Sequence, residues 1–176
     1  GLDLDGAKVG MDDGTAYDSY AGFSRASYSW WKGNVDSTGG AWTTSSTNTS
    51  YGSATIGNQH PNLITTTQTL WNKAWERVQP QQRFEAGDER NRSARIGFDS
   101  IRFNGADLVH DAHSPSGYQT HWNTDWMELR VQEDSMFDWT GWKNPTAQDG
   151  QQGQLVFMGN FVFTNPRMFA IQTGLT

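Results

Sequence analysis

The clearest hydrophobic pattern in the chain predicts a helix that begins near residue 68. Five apolar residues recur at helical spacing on one face: Leu70, Trp71, Ala74, Trp75 and Val78. Residues 65–68 form a capping-box pattern, in which a hydroxyl and an amide satisfy free N–H groups of the first turn. Pro80 cannot continue a helix, so we expect the helix to end before it.

Short apolar segments separated by turn residues predict strands further along. Asn104-Gly105 is a strong tight-turn dipeptide, and it predicts a hairpin whose second strand is Asp107–His110. The apolar residues that lead into this turn are Ile96, Phe98, Ile101 and Phe103. Two further strands are predicted over residues 118–123 and 127–131, after a turn at residues 114–117.

The last apolar segment gives the strongest strand pattern. Leu155, Phe157, Phe161 and Phe163 alternate onto one face, and the other face is apolar as well. A strand that is apolar on both faces must be covered on both, by the rest of the fold or by another chain. We expect residues 164–166 to turn this strand back into residues 168–171 as a buried or interfacial hairpin.

Residues 1–60 show no sustained periodicity, and we expect irregular structure there. Asp12-Asp13-Gly14 is a turn signal, and Thr43–Ser50 is an unbroken polar run. Four aromatic residues are expected to pack onto later elements: Tyr28, Trp30, Trp31 and Trp42.

Composition narrows the classes of function. The 176 residues suit one domain, or one domain and part of another, and the apolar surface is concentrated in nine Trp, nine Phe and five Tyr. A net charge of -6 disfavours sequence-specific binding of a phosphate backbone. No apolar run approaches the roughly 20 residues that span a bilayer, and the start of the chain has no signal core. The chain begins at Gly1 without Met, so we expect a fragment or a processed chain.

Motifs for catalysis or metal binding are weak. His110, Asp111, His113 and His121 lie close in sequence, but their spacing matches no standard zinc pattern. The chain has no cysteine, no G-x-S-x-G sequence and no phosphate-binding loop. We therefore predict no catalytic residue, no cofactor and no metal.

A carbohydrate-binding module or a glycoside hydrolase is the alternative that the aromatic residues keep open. Asp111 and Glu128 could act as an acid and a base, although nothing in the sequence fixes their separation. Four tryptophans could line a sugar-binding groove: Trp122, Trp126, Trp139 and Trp142.

An ordered set of motifs along nearly the whole chain resembles the major capsid proteins of tailed bacteriophages. The early motifs are the DDG turn at residues 12–14, GFSR at 22–25 leading to Trp30-Trp31, PNLI at 61–64, TTQTLWN at 66–72 and QPQQRF at 79–84. The later motifs are FNGA at residues 103–106, PSGY at 115–118, NTDW at 123–126 and QLVFMGNFVFTNPR at 154–167.

The resemblance implies an α+β fold, with an axial domain built on a central mixed sheet flanked by helices. Residues 1–154 would form mainly the axial domain, and residues 155–176 would return to the peripheral domain as a strand pair. The N-terminal arm, the extended loop and the long spine helix of the family have no counterpart in these 176 residues. Two departures from the family pattern are this missing part and the Ser/Thr run at 43–50, where relatives look helical and apolar.

The function that the resemblance implies is structural. The chain would be a subunit that self-assembles into pentamers and hexamers of an icosahedral shell around double-stranded DNA. Scaffolding and portal proteins are further candidate partners, DNA contacts would be non-specific, and no membrane is involved. The location would be the virion, after assembly in the bacterial cytoplasm.

Candidate subunit contacts come from the arginines of the charged segment, the tryptophans of the late loop and the last strand. The charged segment from Phe84 to Arg95 is interpreted either as a solvated loop or as an inter-subunit salt-bridge loop. The candidate contact residues are Arg83, Arg90, Arg92, Arg95, Trp139, Trp142, Phe157, Phe161 and Phe163.

Overall fold

A six-stranded mixed β-sheet forms the centre of the structure, a computed structural model that describes residues 9–78, 101–146 and 149–176. The strands are β1 (Ser19–Tyr20), β2 (Phe23–Ser24), β3 (Asn34–Asp36), β4 (Leu63–Thr66), β5 (Ile101–Phe103), β6 (Ala106–His110), β7 (Gln119–Trp122), β8 (Met127–Trp139), β9 (Leu155–Phe163) and β10 (Ala170–Gln172). The helices are α1 (Thr44–Ser53) and α2 (Gln68–Val78). No helix in the described part of the chain has both the length and the apolar character needed to cross a membrane.

The central sheet has the strand order β3-β10-β7-β4-β6-β5. β10 runs parallel to β3, and β4 runs parallel to β6, while the other neighbouring pairs are antiparallel. β1 pairs with β2, and β8 pairs with β9, in two separate two-stranded sheets. The fold is therefore of the predicted α+β class with a central mixed sheet.

Several of the predicted elements are confirmed, among them the strands β7, β8 and β9. α2 covers Gln68–Val78 and buries Leu70 and Ala74 from the predicted apolar face. β5 and β6 form the predicted hairpin, and Asn104 and Gly105 at its turn have φ angles of 48° and 91°. Positive φ angles at both central residues are what a type I′ hairpin turn requires, which explains the Asn-Gly sequence there.

The polar run that was predicted to be irregular is the helix α1, so that prediction was wrong. The hydroxyl of Thr43 accepts a hydrogen bond from the Ser46 N–H at 3.0 Å, and the Thr43 N–H donates to the Ser46 hydroxyl at 3.3 Å, which completes a capping box. Thr47, Ser50 and Tyr51 are buried on one side of this helix. A polar helix of this kind is held by tertiary contacts rather than by an apolar stripe.

The predicted terminal hairpin is also wrong. β9 pairs with β8, and β10 lies in the central sheet between β3 and β7. The N–H of Phe163 donates to the hydroxyl of Tyr20 at 2.9 Å, so a side chain occupies a donor that a hairpin partner would need. Residues 166–168 form a single 3-10 turn that carries the chain into the sheet.

The predicted domain boundary between residues 154 and 155 stays a prediction. β9 on one side of it pairs with β8 on the other, and β10 shares the central sheet with β3, β4, β5, β6 and β7. Both predicted parts therefore contribute to the same central sheet.

The two faces of the central sheet contact different cores. Ile64, Leu108 and His121 are cross-strand neighbours on one face, where Ile64 and Leu108 pack with residues of both helices in the first core. Trp122 and Ile171 project from the other face into a second core with Phe163 and Phe169. The second core is where the β8–β9 pair joins the rest of the fold, because Phe163 is the last residue of β9.

We expect His121 to make the stability of the fold sensitive to acid. Burial lowers the pKa of His121 from its ordinary value of 6.5 to about 4. The unfolded chain takes up this proton near its ordinary pKa, so between these two values the unfolded state binds more protons than the folded state. We expect this residue alone to lower the free energy of unfolding by about 3 kcal/mol between about pH 7 and about pH 4.

Urea unfolding at both pH values measures this effect. The variant His121→Gln is expected to lose less stability on acidification than the unchanged chain. His113→Gln is the matched control, because the side chain of His113 is 91% exposed. Equal pH dependence of the His121→Gln variant and the unchanged chain would contradict the assignment.

Candidate subunit interface

β8 and β9 form a long ribbon that extends away from the central sheet. β9 has 9 residues and β8 has 13. At about 3.4 Å per residue, the paired length is roughly 30 Å. No third strand pairs with the ribbon among the described residues. We call residues 127–146 and 149–163 the ribbon. Its root is the end at Met127 and Phe163, and its tip is the other end, at and beyond the pair Trp139 and Leu155.

One face of the ribbon is apolar along its whole length. Residues that lie opposite one another in an antiparallel pair share a face. The opposite pairs on this face are Leu129 with Phe161, Met136 with Phe157, and Trp139 with Leu155. We call this the apolar face. The opposite face is mixed, since it carries the Glu128–Arg130 ion pair at 3.1 Å.

Along β9, the exposure of the apolar face increases from root to tip. The exposed fraction is 1% for Phe163, 38% for Phe157 and 61% for Leu155, and Phe161 is half-buried. The root is therefore part of the second core, and the tip presents apolar side chains to solvent.

Ring contacts order the side chains of the tip. Phe137 stacks on Phe157 with 4.9 Å between ring centroids, and Trp139 meets Trp142 edge-on at 5.2 Å. The Trp139 ring covers Gly153, where an added Cβ would lie 2.1 Å from the ring. The backbones of Lys143 and Gln152 exchange two hydrogen bonds of 2.8 Å, so the pairing continues beyond the two strands.

Two bulges interrupt the ribbon. The register shifts between Val131 and Met136 and again between Met136 and Asp138. Two non-glycine residues of β8, Asp134 and Phe137, have positive φ angles of 58° and 54°. Extra residues in one strand disrupt the ladder locally and bend the strand. The second bulge directs Phe137 onto the Phe157 ring.

A group of five aromatic rings, three of them exposed, lies beside the root of the ribbon. Tyr20, Phe23, Tyr28, Trp30 and Trp31 contact one another with centroid distances from 5.6 to 6.0 Å, and we call them the aromatic cluster. Its connection to the root is the hydroxyl of Tyr20, which accepts the hydrogen bond from Phe163. The turn over residues 29–31 lies against the turn over residues 166–168.

Arg25 fixes the segment that carries the aromatic cluster. Its side chain is fully buried, and it donates to the carbonyl oxygens of four residues: Val9, Gly10, Tyr17 and Trp31. Its guanidinium lies 3.9 Å from the carboxylate of Asp12, which in turn accepts hydrogen bonds from the N–H groups of residues 14, 16 and 17. Burial lowers the pKa of Arg25, and Asp12 opposes that shift.

The candidate contact residues fall into three groups. Trp139, Trp142 and Phe157 are exposed at or near the tip, and Phe161 is half-buried on the same face. Phe163 is buried in the second core, so it supports the ribbon from inside. The predicted arginine contacts lie outside the described residues: Arg83, Arg90, Arg92 and Arg95.

Sequence reasoning missed part of the apolar face. Leu129, Met136 and Phe137 are exposed by 47%, 68% and 61%, yet none was predicted as a contact. Apolar residues at positions 127, 129 and 131 gave a visible alternation. The bulges break that alternation after Val131, so the pattern could not be followed to the tip.

The residues considered for metal binding do not come together at one site. His121 is buried, His110 packs against Trp71, and exposed His113 lies 3.6 Å from Asp111. Within residues 9–78, 101–146 and 149–176, no three side chains of the metal-binding types come together.

The residues considered for sugar chemistry are placed on different elements. Asp111 follows β6 and accepts a hydrogen bond from the His113 N–H, while Glu128 lies in β8 and binds Arg130. Trp122 packs against Phe163 and Phe169, and Trp126 is half-buried beside the same core. Of these four tryptophans, only Trp139 and Trp142 are exposed. Their ring planes meet at 79°, so the two rings do not form a flat platform for a sugar.

Comparison with solved structures finds a similar fold in a capsid chain. No family model matches the chain, and no curated protein matches it. A solved structure described as the cyanophage A-1(L) capsid asymmetric unit contains a chain that matches with a TM-score of 0.63 at 14% sequence identity. The match covers 100% of this chain and 60% of that chain. The predicted resemblance to phage capsid proteins is confirmed at the level of the fold, and the chain spans about 60% of the length of that capsid chain.

Proposed function

We propose that this protein is a structural subunit of a bacteriophage capsid and that it has no catalytic role. The observation that carries the proposal is the apolar face of the ribbon, on a chain whose fold matches that of a phage capsid chain. A shell subunit needs large surfaces that bind other subunits, and it does not need a catalytic cleft.

The exposed area of the ribbon supports this role. Seven large apolar side chains of the apolar face and the tip are exposed: Leu129, Met136, Phe137, Trp139, Trp142, Leu155 and Phe157. At about 200 Å² each and roughly half exposed, they present on the order of 700 Å². The largest apolar patch on a typical monomer is about 300–600 Å², and each partner of a standard interface buries about 800 Å². The apolar face and the tip therefore approach the area of one standard interface.

Copies of this chain would form the pentamers and hexamers of an icosahedral shell that encloses double-stranded DNA. Scaffolding and portal proteins would be additional partners, and the mature location would be the virion after assembly in the host cytoplasm. A net charge of -6 is compatible with a shell that encloses DNA without specific binding.

A matched pair of methionines tests the proposal. Met136 and Met158 are both exposed on the ribbon, by 68% and 52%, but strand alternation places them on opposite faces. We expect Met136→Ser to shift sedimentation velocity profiles toward the monomer. Met158→Ser is expected to keep the fast-sedimenting species, and negative-stain images should show rings or shells.

Three results would count against a shell subunit. A monomer at every concentration, equal loss of assembly in both methionine variants, or saturable binding of oligosaccharides by a monomer would each contradict the proposal. The last result would favour the carbohydrate-binding alternative and would direct mutagenesis to Trp139 and Trp142.

A further inference from the structure

Exposed large hydrophobic side chains in the described part of the chain occur in only two places. Eight belong to the ribbon, and the remaining three belong to the aromatic cluster. These three are Phe23, Tyr28 and Trp30, with exposed fractions of 48%, 42% and 51%. Two separate apolar patches on one subunit are what a ring of identical copies requires, because each copy must offer one surface forward and a different surface backward.

The two patches lie at opposite ends of the ribbon. Tyr20 connects the aromatic cluster to Phe163 at the root, whereas Trp139 and Leu155 pair at the tip. The paired strands separate these ends by roughly 30 Å. The tip therefore lies far from the aromatic cluster of its own chain and is free to reach another copy.

We propose that the tip of the ribbon binds the aromatic cluster of a second copy of this chain, in a head-to-tail contact. Phe137, Trp139 and Trp142 of one copy would pack against Phe23, Tyr28 and Trp30 of the next. This inference rests on the proposed function, and it names the two surfaces through which shell subunits would join.

The chemistry of the two patches is complementary. Both present edges and faces of aromatic rings, and such rings gain from edge-to-face contacts beyond the area that they bury. Lys32 follows the aromatic cluster and Asp138 lies between two rings of the tip, and neither forms an ion pair within the described residues. In a head-to-tail contact, aromatic rings would form the centre of the interface, and Lys32 and Asp138 would bring opposite charges to its rim. An aromatic centre with a polar rim is typical of protein interfaces.

A contact between two tips is the competing arrangement. Such a contact uses the same patch on both copies, so it closes at two copies and leaves the aromatic cluster exposed. A tip-to-cluster contact covers both patches and can continue from copy to copy. The two arrangements therefore predict different pairs of neighbouring residues.

Cysteine cross-linking distinguishes the arrangements, because the chain has no cysteine of its own. Asn144→Cys places a thiol beside the tip, and Ser27→Cys places one beside the aromatic cluster, both at exposed positions that leave the rings intact. We expect a short bis-maleimide to join the two single variants when they are mixed, and neither variant to join to itself. The double variant should give a ladder of dimers and larger species.

Two controls set the reference for this experiment. In the first control, Thr69→Cys is mixed with Ser27→Cys in place of Asn144→Cys. Thr69 lies at an exposed position of α2, so the cross-linking yield of this mixture measures random collision. Adding Trp30→Ser to the Ser27→Cys variant should weaken the contact by about tenfold or more, as expected for a central aromatic residue.

The outcomes separate this inference from the proposed function. If Asn144→Cys cross-links to itself, and mixing it with Ser27→Cys gives no additional product, the head-to-tail contact is wrong and a tip-to-tip contact replaces it. Yields no higher than the Thr69→Cys control, in a chain that assembles, would overturn the head-to-tail contact and leave the shell function standing. A chain that never assembles would overturn both.

Discussion

Replacing Arg25 by methionine is expected to lower the free energy of unfolding by about 3–5 kcal/mol. The change removes the donor to the carbonyl oxygens of four residues, of which that of Gly10 is buried, and a buried unsatisfied group costs about 1–3 kcal/mol. It also removes the cation beside the buried carboxylate of Asp12, and breaking a buried ion pair carries a similar cost. Urea unfolding followed by tryptophan fluorescence measures the difference.

Arg102→Met is the matched control for this substitution. The side chain of Arg102 is 76% exposed, and its ion pair with Asp107 at 3.5 Å lies at the surface. Surface ion pairs contribute about 0–1 kcal/mol, so this variant should be nearly as stable as the unchanged chain. Similar losses in both variants would show that Arg25 does not organise the segment around the aromatic cluster.

Replacing Phe163 by alanine is the second change with a large expected effect. The ring is buried between Trp122 and Phe169, with centroid distances of 6.4 and 4.9 Å, and the backbone of Gly10 lies directly against it. Truncation would leave a cavity at the root of the ribbon, and Phe→Ala changes in cores cost about 3–5 kcal/mol. Thermal or urea unfolding is the measurement.

Phe157→Ala is the control within the same strand and on the same face. Phe157 is 38% exposed, so its removal should cost less than about 1.5 kcal/mol while it weakens assembly. The two variants thus separate folding from association. A stability loss for Phe157→Ala as large as that for Phe163→Ala would mean that the ribbon is part of the core over its whole length.

Local patterns predicted elements whose partners are close in sequence. α2 has a periodic apolar face and a capping signal, and the β5–β6 hairpin has an Asn-Gly turn, so both were predicted correctly. α1 has neither an apolar stripe nor strong helix formers. Its helical state depends on burial of Thr47, Ser50 and Tyr51 by distant parts of the chain, and this dependence cannot be read from residues 43–53 alone.

Pairing between distant strands was the part that sequence reasoning could not supply. β10 was assigned to a hairpin with β9 because the two are neighbours in the chain, yet its partners are β3 and β7. Strand pairing depends on competing long-range contacts, and Gln172 shows how specific these are. Its amide donates to Asp36 at 3.1 Å and to the Ser46 carbonyl at 3.2 Å, across more than 120 residues.

The candidate interface was predicted in part. Trp139 and Trp142 were predicted as contacts because they are large apolar residues in a late loop. Phe157 was predicted because a strand that is apolar on both faces must be covered on both. The same reasoning also selected Phe163, which is buried. Sequence alternation identifies which residues share a face, but only the fold shows where a strand leaves the core.

The bulges in β8 also have a mechanical consequence. Each interrupts the hydrogen-bonded ladder, so the ribbon should bend more easily at Met136 than in the continuous ladder near the root. Bending there would swing Trp139 and Trp142 without disturbing Phe163 in the core. In the proposed shell, this bending would let a subunit meet its neighbours at the slightly different angles of five-membered and six-membered rings while its folded body keeps one shape.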